Sequence, residues 1–182
     1  MNSAESKLIG EHNKSNILAA FALGEQIGLR TTAMVRCVQT FSGLAHRLEW
    51  VCHQQGVDYY NDSKATNAIA TMSAVHALSE QYQQICLIMG GMQKPEDYSE
   101  LFQLIDQCVA HVVLIGQDAK AMARSIHQAT IAYADSMQTA VKAAQQTSAE
   151  VIVLSPACAS FDLFDNFEHR GEVFKDCVLQ TV

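Results

Sequence analysis

Three short runs constrain this chain most: ICLIMGG (85–91), AHVVLIG (110–116) and VIVLSPA (151–157). Each is apolar at consecutive positions, not alternate ones, so each reads as a strand buried on both faces. Between and around them lie stretches with helical spacing at 98–108, 118–128 and 137–146, and a weaker strand at 130–134. Strands without a polar face that alternate with helices predict an α/β fold, a mostly parallel sheet covered by helices on both sides. Ligands of such sheets sit beyond the C-terminal ends of the strands. That rule puts Gly90-Gly91-Met92-Gln93-Lys94, Gly116 and the run from Ser155 to Ser160 on one rim. The only two prolines, Pro95 and Pro156, fall in the same rim loops.

Upstream the rhythm differs. A helix is expected from His12–Asn13 to Gly28, with Ile17, Ala20, Phe21 and Gly24 on one face and the glycine as its stop. A second is expected over Thr32–Gln39, with Ala33, Val35 and Val38 inward. Two apolar-rich runs then flank Gln54-Gln55-Gly56, the pattern of a β-hairpin. Helices are expected again over 66–78 and about 165–179. The change from a helical pair to a hairpin sets a domain boundary in 40–44, dividing the chain into 1–43 and 44–182.

Composition narrows the function. Hydrophobic residues make up 49% and charged residues 17% of 182, a globular balance. With 12 basic and 19 acidic residues the net charge is −7 and no basic run exists, which argues against nucleic acid as a partner. No apolar stretch is long enough to span a bilayer, and the N-terminus lacks a basic-then-apolar signal design. The six cysteines form no C-x-x-C pair and read as free thiols of a reducing, cytoplasmic environment. The chain contains no G-x-x-x-x-G-K-[ST] loop, no G-x-G-x-x-G after a strand and no H-E-x-x-H or G-x-S-x-G. No metal site of the chain's own is expected.

Five clusters hold the chemistry-bearing residues, and each has two readings. Gly10 to Asn16 is either a capped helix start, with Asn13 as the cap, or a helix N-terminus that meets a nucleotide. Gly43 to Glu49 carries either an exposed Arg47–Glu49 pair of little energetic weight or an arginine that clamps phosphate. Asn61 to Asn67 is either a loop with Ser63 or Thr66 capping the next helix, or an acid, a lysine and two hydroxyls arranged for a nucleotide and its Mg²⁺. The paired glycines before Lys94 either make a turn or let the backbone approach a ligand, with Lys94 as a point charge for a carboxylate. The run from Ser155 to Asp162, followed by Asn166 to Glu172, leaves room for a ligand and backbone donors. Its Cys158 reads as packing, because nothing nearby would lower its pKa.

In order, H-N-x-x-N, G-L-x-H-R-x-E, N-D-S-K-A-T-N, G-G-x-x-K and S-P-A-C-A-S-x-D-x-F-x-N-F-x-x-R-G resemble the Mur ligase family, from about Leu8 to the end of the chain. The first two are shared across that family. The last motifs resemble its D-glutamate-adding members. The resemblance implies a Rossmann-like C-terminal domain at 44–182, preceded by the last helices of a central ATPase domain at 1–43. It implies ATP as co-substrate, with Mg²⁺ bound mainly by the central domain. D-glutamate and UDP-N-acetylmuramoyl-L-alanine are the other implied partners, the latter met through domains outside these residues. The family reaction activates a carboxylate as an acyl phosphate, which the amine of D-glutamate then attacks. By resemblance Asn13, Asn16, His46, Arg47, Asp62 and Lys64 line the ATP side, with Lys64 and His46 in the catalytic part. Lys94, Thr66, Ser160, Phe161 and Phe167 hold D-glutamate, Phe161 through its main chain. The 182 residues alone are expected to be inactive for want of a P-loop. The contrasting expectation is a stand-alone Rossmann-type domain that binds a small molecule without catalysis.

Overall fold

The computed structural model describes residues 8–180. The chain divides into two compact units, Met1–Leu44 and Ala45–Val182. The first holds helix α1 (Glu11–Gln26) and helix α2 (Thr31–Thr40). Helix α1 ends as the glycine predicts. Gly28 takes φ 78°, its N–H donates to the Glu25 carbonyl at 3.0 Å, and Leu29 N–H reaches back to Gly24 at 2.9 Å. These two bonds are the Schellman pattern that satisfies the last carbonyls of a helix. The two helices meet at Gly24, where an added Cβ would overlap Met34 Sδ. Met34 is the buried side chain of α2. Ala20 and Ala33, read as inward, are exposed, because so short a pair has only one contact line to bury. Asn13 does not cap α1. Gly10 holds the cap position, and the Asn13 amide donates backwards to the Ile9 carbonyl at 2.8 Å.

The second unit is a six-stranded sheet with helices on its faces. Strands β1 (Glu49–Gln54) and β2 (Val57–Asn61) form the expected antiparallel hairpin. Its turn residues Gln55 and Gly56 have φ 53° and 83°, the left-handed pair of a tight two-residue hairpin turn. Helix α3 (Ala68–Ser79), strand β3 (Ile85–Gly90), helix α4 (Ser99–Cys108), strand β4 (His111–Ile115), helix α5 (Ala119–Ala123), strand β5 (Thr130–Ala134), helix α6 (Met137–Gln145), strand β6 (Val151–Leu154) and helix α7 (Phe167–Leu179) follow. The strand order is β1-β2-β6-β3-β4-β5, parallel throughout except for β1. Every residue of β3 and β6 is buried, as their unbroken apolar sequence requires. One sheet face packs Cys86, Ile88, Val113, Ile115, Ile152 and Leu154 against Met137, Ala140, Val141 and Ala144 of α6 and Phe174 and Val178 of α7. By the alternation of a strand, Leu87, Met89, Val112 and Leu114 point to the other face.

Chain order places the site. The strands run outward from β3 to β5, then the chain returns and lays β6 on the other side of β3. The carboxyl ends of β3 and β6 are thus where the direction of winding reverses, the usual ligand position of such sheets.

Candidate functional site

The loops after β3 and β6 are joined by backbone bonds. Gly90 N–H donates to Pro156 at 2.9 Å, and Met92 and Ala159 exchange two bonds of 3.0 Å. Gly90 and Gly91 take φ 120° and 129°, and a Cβ on either would overlap the carbonyl of Ile115 or Ala159. The paired glycines therefore exist for close approach of three loops, not for a turn alone. Tyr98 ties the same loops. Its hydroxyl donates to the Ala157 carbonyl at 3.2 Å and accepts the Lys94 N–H at 3.1 Å.

Lys94 then reaches across to the loop after β2, its Nζ 3.1 Å from Thr66 Oγ1. Ser160 is buried in the loop after β6, and its carbonyl accepts the N–H groups of Leu163 and Phe164 at 3.2 and 2.9 Å. Phe161 projects outward, 71% exposed. Phe167 opens α7, whose true cap is Asn166, accepting from His169 N–H at 2.7 Å. The Lys64 ammonium stands 3.8 Å from the Phe167 ring centroid, a cation–π contact. Arg47 is exposed between His46 and Leu48, both at positive φ (62° and 43°), so a sharply turned backbone presents it outward.

The Asn61–Asn67 loop is held from beneath by Arg170, which is 1% exposed. Its Nε donates to Ser63 Oγ at 2.9 Å, Nη2 to the Ser63 carbonyl at 2.8 Å, and Nη1 to the Cys158 carbonyl at 3.1 Å. Ser63 Oγ passes its own proton to the Phe167 carbonyl at 2.8 Å. One guanidinium thus pins three rim segments together through neutral oxygens. Burial lowers its pKa to about 10, still charged at neutral pH. The sequence showed this arginine only as part of a motif, because its partners lie 12 and 107 positions away.

Asp62 is the buried acid of the site. It accepts Leu48 N–H at 3.0 Å and Ser155 Oγ–H at 2.8 Å. Burial pushes its pKa up to about 7, against the opposing pull of those two bonds and of Arg47. Cys158 is buried against Met122 Sδ at 3.9 Å, and burial raises its thiol to about 12, so it packs and does not attack.

Two local expectations give way here. The cap of α3 is Asn67, which accepts Ala70 N–H at 2.9 Å. Ser63 and Thr66 do not cap it, because Arg170 and Lys94 engage their hydroxyls. Glu49 does not pair with Arg47: its Oε2 accepts from His46 N–H and Asn61 Nδ2, and its Oε1 faces Lys175 at 3.4 Å. Asn13 and Asn16 belong to the first unit, on α1. Among the described residues no group of three or more His, Cys, Asp or Glu side chains converges as a metal set. No helix among them is long and apolar enough to cross a membrane.

The mostly parallel sheet and the loops gathered at its switch point define an α/β protein with a ligand-facing rim, and comparison with known proteins gives its family. Residues 46–158 match the family described as Mur ligase, glutamate ligase domain, and the chain belongs to that family. It is 43% identical over 178 residues to the UDP-N-acetylmuramoylalanine–D-glutamate ligase of Coxiella burnetii, covering 96% of this chain and 40% of that protein. To the ligase of the same name from Pseudomonas aeruginosa it is 42% identical, with the same coverage. The chain therefore spans about two fifths of the length of these relatives. The fold is similar to that of UDP-N-acetylmuramate–alanine ligase from Thermotoga maritima, with a TM-score of 0.69 at 14% identity over 97% of this chain and 40% of that one.

Proposed function

We propose that this chain is the C-terminal part of a ligase that joins D-glutamate to UDP-N-acetylmuramoyl-L-alanine at the expense of ATP. On this reading 44–182 is the glutamate-binding domain and 1–43 holds the last helices of the ATPase domain. The observation that carries it is the Lys94–Thr66 contact together with the Met92–Ala159 bridge, which join three motifs far apart in sequence, with buried Ser160 next after Ala159. An ammonium beside a hydroxyl suits a carboxylate of D-glutamate, and Lys64 and Arg47 are exposed cations for the phosphates. Asp62 would lie on the nucleotide side, with Mg²⁺ brought in on the triphosphate; Asn13 and Asn16 of α1 are proposed, by family likeness alone, as nucleotide contacts of the first unit. ATP supplies the phosphoryl group that activates the acceptor's carboxylate. What these residues contribute is orientation of the amine and stabilisation of negative charge as the amide bond forms.

The 182 residues alone are proposed to be inactive, and ATP-dependent ligation by this polypeptide would refute that. The site assignment is tested by NMR titration with D-glutamate against L-glutamate. Shifts are expected around Thr66, Lys94 and Ser160, larger for the D form and lost in Lys94→Ala. Equal response to both enantiomers would overturn the assignment. Strong D-glutamate binding that needs no other domain would favour a free-standing binding module.

A further inference from the structure

We propose that His46 is a positioning residue, locked as its Nε2–H tautomer, that buttresses Lys64 and carries no proton in the reaction. The proposal deepens the ligase reading and rests on it only for the importance of Lys64.

The heavy atoms fix the protons. The backbone N–H of Ser63 can only donate, and it reaches Asn61 Oδ1 at 3.1 Å. The amide oxygen of Asn61 therefore faces Ser63, and its nitrogen faces the other way, 3.2 Å from the acceptor Glu49 Oε2. The same nitrogen lies 2.9 Å from His46 Nδ1. An amide NH₂ offers no lone pair, so Nδ1 must accept. A neutral imidazole that accepts at Nδ1 carries its proton on Nε2, and Nε2 faces Glu172 Oε1 at 3.5 Å. Nδ1 is thus taken within the protein and Nε2 is turned to the Glu172 carboxylate, on a side chain 8% exposed. A proton carrier needs a nitrogen turned to the reacting groups, whereas this ring gives Nδ1 to Asn61 and turns Nε2 towards Glu172.

The same ring is built into the support of Lys64. It meets Phe167 edge to face, centroids 6.0 Å apart, and Phe167 is the ring over which the Lys64 ammonium sits. The His46 carbonyl also accepts the Lys64 N–H at 3.0 Å. One residue therefore holds Lys64 directly at its backbone and, through Phe167, at its head group. Helix α7 can seat against the imidazole because position 171 is glycine: a Cβ there would overlap His46 Nδ1. Gly171 and Asn61 are the parts that set the ring's place.

Long-range ¹H–¹⁵N NMR of the histidine-labelled chain, without ligand, is the test. His46 is expected to show an unprotonated Nδ1 and a protonated Nε2, and the side-chain resonances of Lys64 to be shifted upfield by the Phe167 ring. His46→Ala should abolish that upfield shift. His46→Asn, whose Oδ1 replaces Nδ1 as acceptor, should keep most of it. Should the alanine variant fail to fold, Gly171→Ala displaces the ring with the chain's polar groups intact and should move the same Lys64 resonances. A proton on Nδ1, or Lys64 resonances unmoved in folded His46→Ala or Gly171→Ala, would overturn the proposal. No ligand is added, so failure here leaves the glutamate assignment standing, and failure of the glutamate titration leaves this standing.

Discussion

The two units of this chain spend their apolar residues in opposite ways. In the second, Leu87, Ile88, Leu114, Ile152 and Phe174 are wholly buried between sheet and helices. In the first, Leu18, Leu23 and Ile27 are 69%, 70% and 76% exposed, and α1 and α2 touch along one line at Gly24. Burial of a large apolar side chain stabilises by about 1.5–3 kcal/mol, so the second unit has the makings of independent stability and the first has very few. The difference teaches that the packed core is a property of 45–182, whereas the helical pair keeps its large apolar side chains at its surface.

The sharpest way to break this comparison is to separate the units. A peptide of residues 1–44 is expected to lose nearly all helicity by circular dichroism, since short isolated helices are marginal in water. Residues 45–182 should keep a cooperative unfolding transition. A stable helical 1–44 would sink the contrast. Next in size, Phe174→Ala should cost about 3–5 kcal/mol in urea unfolding, the range for emptying a packed aromatic site. A loss below about 1 kcal/mol would mean that the core is loosely packed.

The pH response sharpens the comparison at the rim. Burial pushes the folded Asp62 carboxyl up to about 7, against 3.8 for an ordinary aspartate. Between these values the folded state keeps a proton that the unfolded state has released, so this group's stabilisation is full below about pH 4 and is lost as pH rises through about 7. A shift of that size is worth roughly 4 kcal/mol at most. Asp62→Asn should therefore unfold at higher urea than the parent at pH 8, with the gap narrowing towards pH 5. A parent whose stability relative to the variant rises with pH would reverse the sign and refute the burial argument. Smaller still, Asn67→Ala should cost about 1 kcal/mol through loss of the α3 cap, whereas Leu23→Ser in the open unit should fall within about 0.5 kcal/mol of the parent. Thermal melts of the pair suffice to compare them.

Much of the fold was legible because the decisive strands have no polar face to confuse their reading. Strands β3, β4 and β6 and the Gln55-Gly56 hairpin are local facts of sequence, and the rim followed from them. What was not legible depended on distant partners. The helix expected over 118–128 stops at Ala123, since Asp106, 21 positions before His127, takes the N–H groups of His127 and Gln128 at 2.8 and 2.9 Å. The cap of α3 was misplaced because Arg170 and Lys94 engage the hydroxyls that local rules would assign to capping. The roles of Arg170 and Gly171 were hidden for the same reason. A buried guanidinium and a glycine pressed against an imidazole are visible only once α7 lies beside the loop after β2.

The strand order also has a consequence for synthesis. Strand β6 is made last but lies in the middle of the sheet, between β2 and β3. On the ribosome, the hairpin and the β3–β5 half remain two unjoined pieces until residues 151–154 emerge. Until then β2 and β3 each present an open parallel edge, the kind of surface that invites wrong partners. Closure depends on contacts of long sequence separation, which form slowly. A ribosome that stalls before residue 151 therefore holds a chain with most of its sheet made and its ligand rim unformed.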